Sequence, residues 1–278
     1  MLLSMNKIYS VHYNRPDFVE LQYFSLKNHL KNDFELTIIN NANDNNLRQE
    51  INNKCKELNI SVFETNSNAE LVGDHHSEAL NKCWQTKCIN DKNYVWIMDG
   101  DVFLIQDIDI ENFMKDYPLC GPRQTRKTYN YLTPAIVIFN MNKIVNPNEI
   151  YWNGICVNGT HLDTGGATYY YLEKYKDIKL NSKDLKSSWH IRVENNNMHC
   201  LPEEVKNEYN QEYYIEFFGN EFLHYRASSN WDYKSNEYHL NKTNFVKTIV
   251  YGSVDKSVTI KNHNYQMNNP EYFGWIFE

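Results

Sequence analysis

Two carboxylates separated by one glycine, Asp99-Gly100-Asp101, are the residues of this chain best suited to hold a hard divalent cation. They follow Tyr94-Val95-Trp96-Ile97-Met98, a continuous apolar run. Such a run reads as a buried parallel strand, and open α/β sheets present polar residues to ligands at the carboxyl ends of their strands. A turn at Gly100 directs both side chains into one cleft. Mg2+ and Mn2+ accept oxygen ligands and bridge carboxylates to substrate phosphates. The bare spacing is common by chance, and a solvated turn is its bland explanation. The strand before it is what sets this copy apart. Asp107-Ile108-Asp109 offers an internal contrast, because it precedes a short helical stretch from Ile110 to Met114 and helix capping accounts for it.

Other polar groups compete for a chemical role. His161-Leu162-Asp163-Thr164-Gly165-Gly166 places an imidazole and a carboxylate before two glycines that permit close backbone approach. Asp163 is the first choice for a general base. The competing expectation is that Asp163 or Thr164 starts the helix carrying Tyr169 to Tyr171. Asp74-His75-His76 invites a metal reading, but adjacent helical residues point in different directions. Asp74 then remains a ligand contact and His76 a partly buried helix residue, while Asn81 faces either ligand or solvent. Trp152, Trp189, Trp231, Tyr233 and Trp275 offer stacking surfaces, although most tryptophans pack in cores.

These residues need a frame. Ile8 to His12 reads as a first strand, followed by Asn14-Arg15-Pro16-Asp17 and a helical pattern of Phe18, Leu21, Phe24, Leu26 and Leu30. Pro16 fits a loop or a first helical turn, where its missing N–H has no partner to lose. Phe34 to Ile39 gives a second strand and Ile60 to Phe63 a third, with Leu47, Ile51, Cys55 and Leu58 at helical spacing between them. Ala69 to Cys88 is a further helix, with Val72, His76, Ala79, Leu80 and Cys83 near one face. Strand ends then present His12 to Asn14, Asn41 to Asp44, and Asp99 to Asp101. Farther on, Thr133 to Phe139 reads as a strand and Thr164 to Tyr175 as a helix, with strands and loops expected from Lys179 onward. No repeat or linker divides the chain, so a single α/β domain is expected.

Bulk properties narrow the function. The net charge is −7 across 278 residues, and the one basic stretch, Arg123 to Lys127, suits a diphosphate or a solvated surface better than a nucleic-acid backbone. Nucleic-acid binding is not expected. The 14% aromatic content argues against disorder. Six cysteines lack paired CxxC spacing, which disfavours structural zinc and suits buried thiols, with disulfides left open by the even count. Asn158-Gly159-Thr160 and Asn241-Lys242-Thr243 match the glycosylation triplet in an Asn-rich chain where it arises by chance. No run approaches the roughly 20 apolar residues of a transmembrane helix, and no signal-peptide core is present, so a cytoplasmic location is expected.

Taken in order, these features resemble those of the GT-A-fold glycosyltransferases. Val11-His12-Tyr13-Asn14-Arg15-Pro16 resembles their first nucleotide-binding loop, and Asp44, after the second strand, sits where many place a carboxylate near the base. Asp74 to Asn81 resembles the donor-contacting helix before the metal strand, and Asp99-Gly100-Asp101 resembles the DxD metal motif. Ile138-Phe139-Asn140, Leu201-Pro202 through Tyr209-Asn210, and His224-Tyr225-Arg226 through Asn230-Trp231 follow an order similar to that of the glycogenin-like retaining enzymes. The resemblance implies a Rossmann-like, mostly parallel mixed sheet flanked by helices. Residues 1–101 would form a nucleotide-binding half and residues 102–278 an acceptor-binding half. It implies Mn2+ or Mg2+ on Asp99, Asp101 and His224. Of Arg123, Arg126, Lys127 and Arg226, the last is best placed for a positive contact to the diphosphate by its nearness to His224, with surface salt bridges the competing account of each. It also implies a nucleotide-sugar donor, most often a UDP-sugar, and a hydroxyl acceptor on a glycan, peptide or small molecule. The opening loop is closer to that of inverting relatives, so Asp163 is either a base or a hydrogen-bond partner of the donor sugar. Two other classes compete: a nucleotidyltransferase or other metal-dependent phosphate enzyme, and a non-catalytic sugar-binding protein on the same scaffold. The first lacks its glycine-rich phosphate loop, and the second has no need of a complete metal set.

Overall fold

The computed structural model describes residues 5–65, 72–177, 185, 215–226, 228 and 235–255. Strand β1 (Asn6–His12) leads into helix α1 (Pro16–His29), whose first turn carries Pro16 and Asp17 and whose last carries Lys27 and His29. That charge order suits the helix dipole. Next come β2 (Phe34–Asn40), α2 (Asn45–Glu57), β3 (Ser61–Glu64), α3 (Val72–Cys83) and β4 (Tyr94–Asp99). A π-helical turn, Trp84–Cys88, extends α3. The alternation expected over the first hundred residues is therefore present, in order.

β1 lies parallel to both β2 and β4, with His12 paired to Asn40 and Val11 to Asp99. β6 (Leu119–Cys120) and β9 (Ile136–Asn140) complete a six-stranded sheet in the order β3-β2-β1-β4-β9-β6, with β9 antiparallel to β4. The result is a mixed, mostly parallel sheet flanked by helices, a Rossmann-like arrangement consistent with the GT-A fold. Strand order reverses between β1 and β4, which opens a crevice beyond their carboxyl ends.

Both faces of the sheet are covered. Ile8, Trp96, Met98 and Ile138 pack with Val19 and Leu26 of α1 and Ile51 of α2. Tyr9, Val11, Ile97 and Phe139 pack with Leu80, Cys83 and Trp84 on the other side. Burial on two faces is why β4 reads as an unbroken apolar run rather than an alternating one.

A second, three-stranded sheet sets β5 (Val102–Leu104) against a hairpin of β12 (Glu216–Phe218) and β13 (Phe222–His224), in the order β12-β13-β5. Helix α4 (Ile110–Met114) begins at Asp109, whose carboxylate accepts the Asn112 N–H at 3.0 Å, as the capping account requires. Two more hairpins, β7 (Arg123–Arg126) with β8 (Tyr129–Leu132) and β10 (Ile155–Val157) with β11 (Thr160–Leu162), precede α5 (Thr168–Lys174). The basic stretch is thus largely a hairpin strand.

Several expectations need correction. α5 starts at Thr168, not Thr164; neither Asp163 nor Thr164 caps it, and the Asp163 carboxylate instead accepts the Thr164 N–H at 2.9 Å. Trp152 is fully buried against Trp84 and Phe139, so it belongs to the core and offers no stacking surface. Helix α6 (Asn236–Gly252) occupies a region read as strands and loops. Its Asn, Thr and β-branched residues have poor helix propensity. Burial of Phe245, Val246, Ile249 and Val250 against Phe18, Leu21 and Tyr225 overrides that local preference.

Cys55, Cys83 and Cys88 are buried free thiols, Cys120 is buried, and Cys156 is an exposed free thiol. Trp189, Trp231, Tyr233, Trp275, Cys200 and the Leu201 to Asn210 stretch lie outside the described residues. Among the described residues no helix is long and apolar enough to cross a membrane.

Candidate metal centre

β4 delivers Asp99 to the crevice, and the chain turns at once. The Asp99 N–H bonds Ala135 O at 3.0 Å, and the Gly100 N–H bonds Val11 O at 2.8 Å. A Cβ on Gly100 would stand 2.8 Å from the His12 ring and from Val11 O, so only glycine lets the turn sit this close to β1. The turn then feeds Asp101 into β5, whose Val102 pairs with His224 of β13. The Tyr225 N–H closes the arrangement by donating to Asp101 O at 2.9 Å. Asp99, Asp101 and His224 each offer a ligand atom within 4.8 Å of the others. Strand pairing has brought together residues more than 120 positions apart in sequence.

Gln22, a fully buried residue of α1, holds this turn from below. Its amide nitrogen donates to Asp99 O at 3.0 Å and Val102 O at 2.9 Å. Its carbonyl oxygen must then accept from His12 Nε2–H, 3.1 Å away. His12 is consequently a buried, neutral support beneath the acidic turn, with burial pushing its pKa down.

No protein-family model matches the chain, and no curated protein sequence does. Among solved structures, the chain is distantly similar to the galactosyltransferase LgtC in complex with donor and acceptor sugar analogues. That likeness has 11% identity and a TM-score of 0.35, over 62% of this chain and 66% of that one. It is also similar to the bifunctional glycosyltransferase WbbM (10% identity, TM-score 0.37, 52% and 33% covered). A third is S. aureus TarS (16% identity, TM-score 0.36, 53% and 30% covered). The chain spans less than two thirds of the length of each. Likeness this distant adds nothing to the geometry of the site.

That geometry suits a divalent ion. Asp99 Oδ1 is buried without an aligned hydrogen bond, and its nearest cationic group is His76 Nε2 at 3.0 Å. Asp101 is 6% exposed, with His224 Nε2 3.4 Å from its Oδ1. Burial raises the Asp101 pKa, but the His224 charge and hydrogen bonds from His224 and Ser228 prevail and hold it well below the usual carboxylate range. Burial opposes charge on His224 as well. The Asp101 and Glu216 carboxylates outweigh it and lift the imidazole to about 10. Two carboxylates and one imidazole can coordinate a divalent metal ion.

The other expected residues are distributed around this centre. Tyr13 is half-buried. Asn14 is left-handed, with φ of 54°, and exchanges hydrogen bonds with Asn43, Nδ2 to Oδ1 at 2.6 Å and backbone N to Oδ1 at 3.2 Å. Asn41 donates its N–H to His12 O at 2.9 Å and accepts from the Thr65 hydroxyl at 2.9 Å. These contacts lace the carboxyl ends of β1, β2 and β3 together. Asp44 caps α2 by accepting the Leu47 N–H at 2.9 Å. Asp74 stands exposed in the first turn of α3. Asn81 accepts the Trp152 N–H at 2.8 Å and donates to Asn153 at 2.9 Å, so it ties α3 to that loop. Asp163 is exposed, with Arg126 Nη2 at 3.5 Å. Arg226 is left-handed, and its Nε lies 3.8 Å from Glu216 Oε2.

His76 is the partly buried residue expected on the α3 face of Ala79, Leu80 and Cys83, and it reaches Asp99 from there. Two residues of the centre had no such expectation. Glu216 stands across the hairpin from His224, a relation that Gly219-Asn220 between the apolar pairs Phe217-Phe218 and Phe222-Leu223 could have disclosed. Gln22 carried no signal beyond its place on the buried face of α1.

Proposed function

We propose that this protein is a metal-dependent glycosyltransferase that moves a hexose from a UDP-sugar to a hydroxyl of a glycan, peptide or small-molecule acceptor. The observation that carries the reading is the Asp99, Asp101 and His224 cluster at the carboxyl end of β4, beside the point where strand order reverses. That crevice is where α/β sheets bind nucleotides. The mixed oxygen and nitrogen donor set favours Mn2+, with Mg2+ as the all-oxygen-preferring alternative. When bound, such an ion stabilises negative charge on the departing diphosphate as a Lewis acid.

The remaining roles belong to the chain itself. Asp99, Asp101 and His224 would hold the ion, and Gly100 and Gln22 keep the acidic turn that carries the two carboxylates in place. Tyr13, Asn14, Asn41 and Asp44 form the wall toward the nucleoside, and Asp74 and Asn81 the wall toward the sugar. Arg226 offers positive charge beside His224. Asp163 acts as base toward the acceptor hydroxyl or as a hydrogen-bond partner of the donor sugar. Its exposure and its Arg126 neighbour suit a group that meets ligand from solvent. Residues 1–101 serve the donor, and residues 102–278 add His224 and Arg226 to that site and otherwise serve the acceptor.

Calorimetry with UDP and a panel of other nucleoside diphosphates and nucleotide sugars tests this directly, with Mn2+ or with chelator, on wild type and Asp101→Ala. Binding of UDP that needs Mn2+ and is lost in a folded Asp101→Ala variant is the expected result. Metal-independent binding, or none across the panel, would sink the donor assignment and leave the non-catalytic scaffold.

A further inference from the structure

We propose that Glu216 is a positioning residue for the metal centre: it fixes the ring of His224 so that Nε2, and not Nδ1, faces Asp101. The inference rests on reading Asp99, Asp101 and His224 as a metal centre, and it concerns a residue that touches no ion itself.

The argument begins with register. Glu216 and His224 are directly opposed in the β12–β13 hairpin, which turns through Gly219 at a φ of 60°. Directly opposed side chains of an antiparallel pair emerge on the same face, close enough to interact. Here they do, with Glu216 Oε2 3.1 Å from His224 Nδ1. Glu216 is 8% exposed. A carboxylate buried this far is costly unless charged or hydrogen-bonding partners compensate it, and His224 and Arg226 lie on the same oxygen.

The two ring nitrogens of a histidine are not equivalent, and the one that ligates is set by the bond the other makes. An acceptor at Nδ1 selects the tautomer with its proton there. In the neutral ring Nε2 then carries the lone pair, and Nε2 is the atom that lies 3.4 Å from Asp101 Oδ1. The Phe218 ring stacks on the imidazole at 5.4 Å and 25°, which restricts rotation of the ring about its axis. β13 is the middle strand of its sheet, paired through Val102 to the segment that begins one residue after Asp101. Ligand, orienting carboxylate and opposing Asp101 therefore share one hydrogen-bonded frame. Without the carboxylate nothing at Nδ1 opposes a flip about χ2, which would put Cε1 where Nε2 stands and remove the ligating nitrogen from Asp101.

Mn2+ binding without nucleotide is the test, by titration calorimetry and by pulsed electron paramagnetic resonance of the bound ion. Wild type is expected to show coupling to one imidazole nitrogen. Glu216→Ala is expected to bind Mn2+ roughly 10- to 100-fold more weakly, the usual effect of removing an outer-shell partner, with that nitrogen coupling reduced. Glu216→Gln keeps an acceptor for the Nδ1 proton without the charge, so it should recover most of the affinity and the coupling. It also serves should the alanine variant fold poorly, as thermal unfolding would reveal. Unchanged affinity in Glu216→Ala, or a glutamine variant as weak as alanine, overturns the positioning role alone. A wild type that binds no Mn2+, or one whose binding survives Asp101→Ala, overturns the metal centre as well.

Discussion

His224 lies between two carboxylates, and the balance at that one ring decides how the centre responds to pH. Its pKa of about 10 stands above the 6.5 of an ordinary histidine, because Asp101 and Glu216 outweigh the cost of burying the charge. A folded pKa above the unfolded one means that the protonated ring stabilises the fold fully below pH 6.5. That contribution is lost as pH rises through 10. A metal ion needs the lone pair the proton occupies, so the two compete. In chelator, the unfolding midpoint should therefore fall between pH 6.5 and 10, and with Mn2+ present it should fall less. Over the lower part of that interval, apparent Mn2+ affinity should rise by up to about tenfold per pH unit, with about one proton released per ion. Calorimetry in two buffers of different ionisation enthalpy counts that proton. An affinity flat with pH would remove His224 from the ligand set.

At the scale of single elements, what could be read beforehand depended on whether local pattern and tertiary burial agreed. They agree in β4, where an apolar run covered on both faces ends at a glycine-centred acidic turn. They agree in α2, whose buried Leu47, Ile51 and Cys55 recur at helical spacing. They disagree in α6, where weak propensity conceals a 17-residue helix made stable by what it packs on. His224 was found through resemblance rather than spacing, and Glu216 went unseen because its role exists only across a hairpin. Two elements can be tested on this footing. Gly100→Ala forces a methyl against His12 and Val11 O and should cost about 1–3 kcal/mol in urea unfolding, as overpacking does, with weaker Mn2+ binding alongside. Asp44→Ala removes the α2 cap and should cost about 1 kcal/mol. Asp109→Ala, which removes the cap of α4, is the matched control. A loss of UDP affinity in Asp44→Ala alone would assign that carboxylate a second task at the nucleoside; equal affinities would leave it a cap.

Across the whole molecule, helix α6 and the start of α1 are joined by buried charge. Arg15 holds Asp17 through two bonds of 2.9 Å, and Lys247 of α6 reaches the same carboxylate at 3.2 Å. The Arg15 guanidinium also lies 3.6 Å over the Phe18 ring. Burial pushes the Asp17 pKa up, but the Arg15 and Lys247 charges prevail and hold it well below the usual carboxylate range. Its contribution to stability is thus present above the ordinary value of 3.8 and is lost as pH falls through the depressed folded value. The same helix grips the residues after His224: Lys242 Nζ donates to Arg226 O at 3.0 Å, and the Tyr225 and Thr243 hydroxyls meet at 3.2 Å. A loosened α6 would therefore release the β13 end that carries the imidazole. Removing the shared member of a buried ion group leaves the opposite charges uncompensated and commonly costs about 3–5 kcal/mol. Asp17→Asn, which strips that member from two cations, should destabilise more than Lys247→Met, which leaves Arg15 on the carboxylate. Denaturant unfolding measures the order, and Mn2+ affinity should fall in the same order. Affinity unchanged in a destabilised but folded Asp17→Asn protein would instead mean that the sheet of β5, β12 and β13 holds the centre without help from α6.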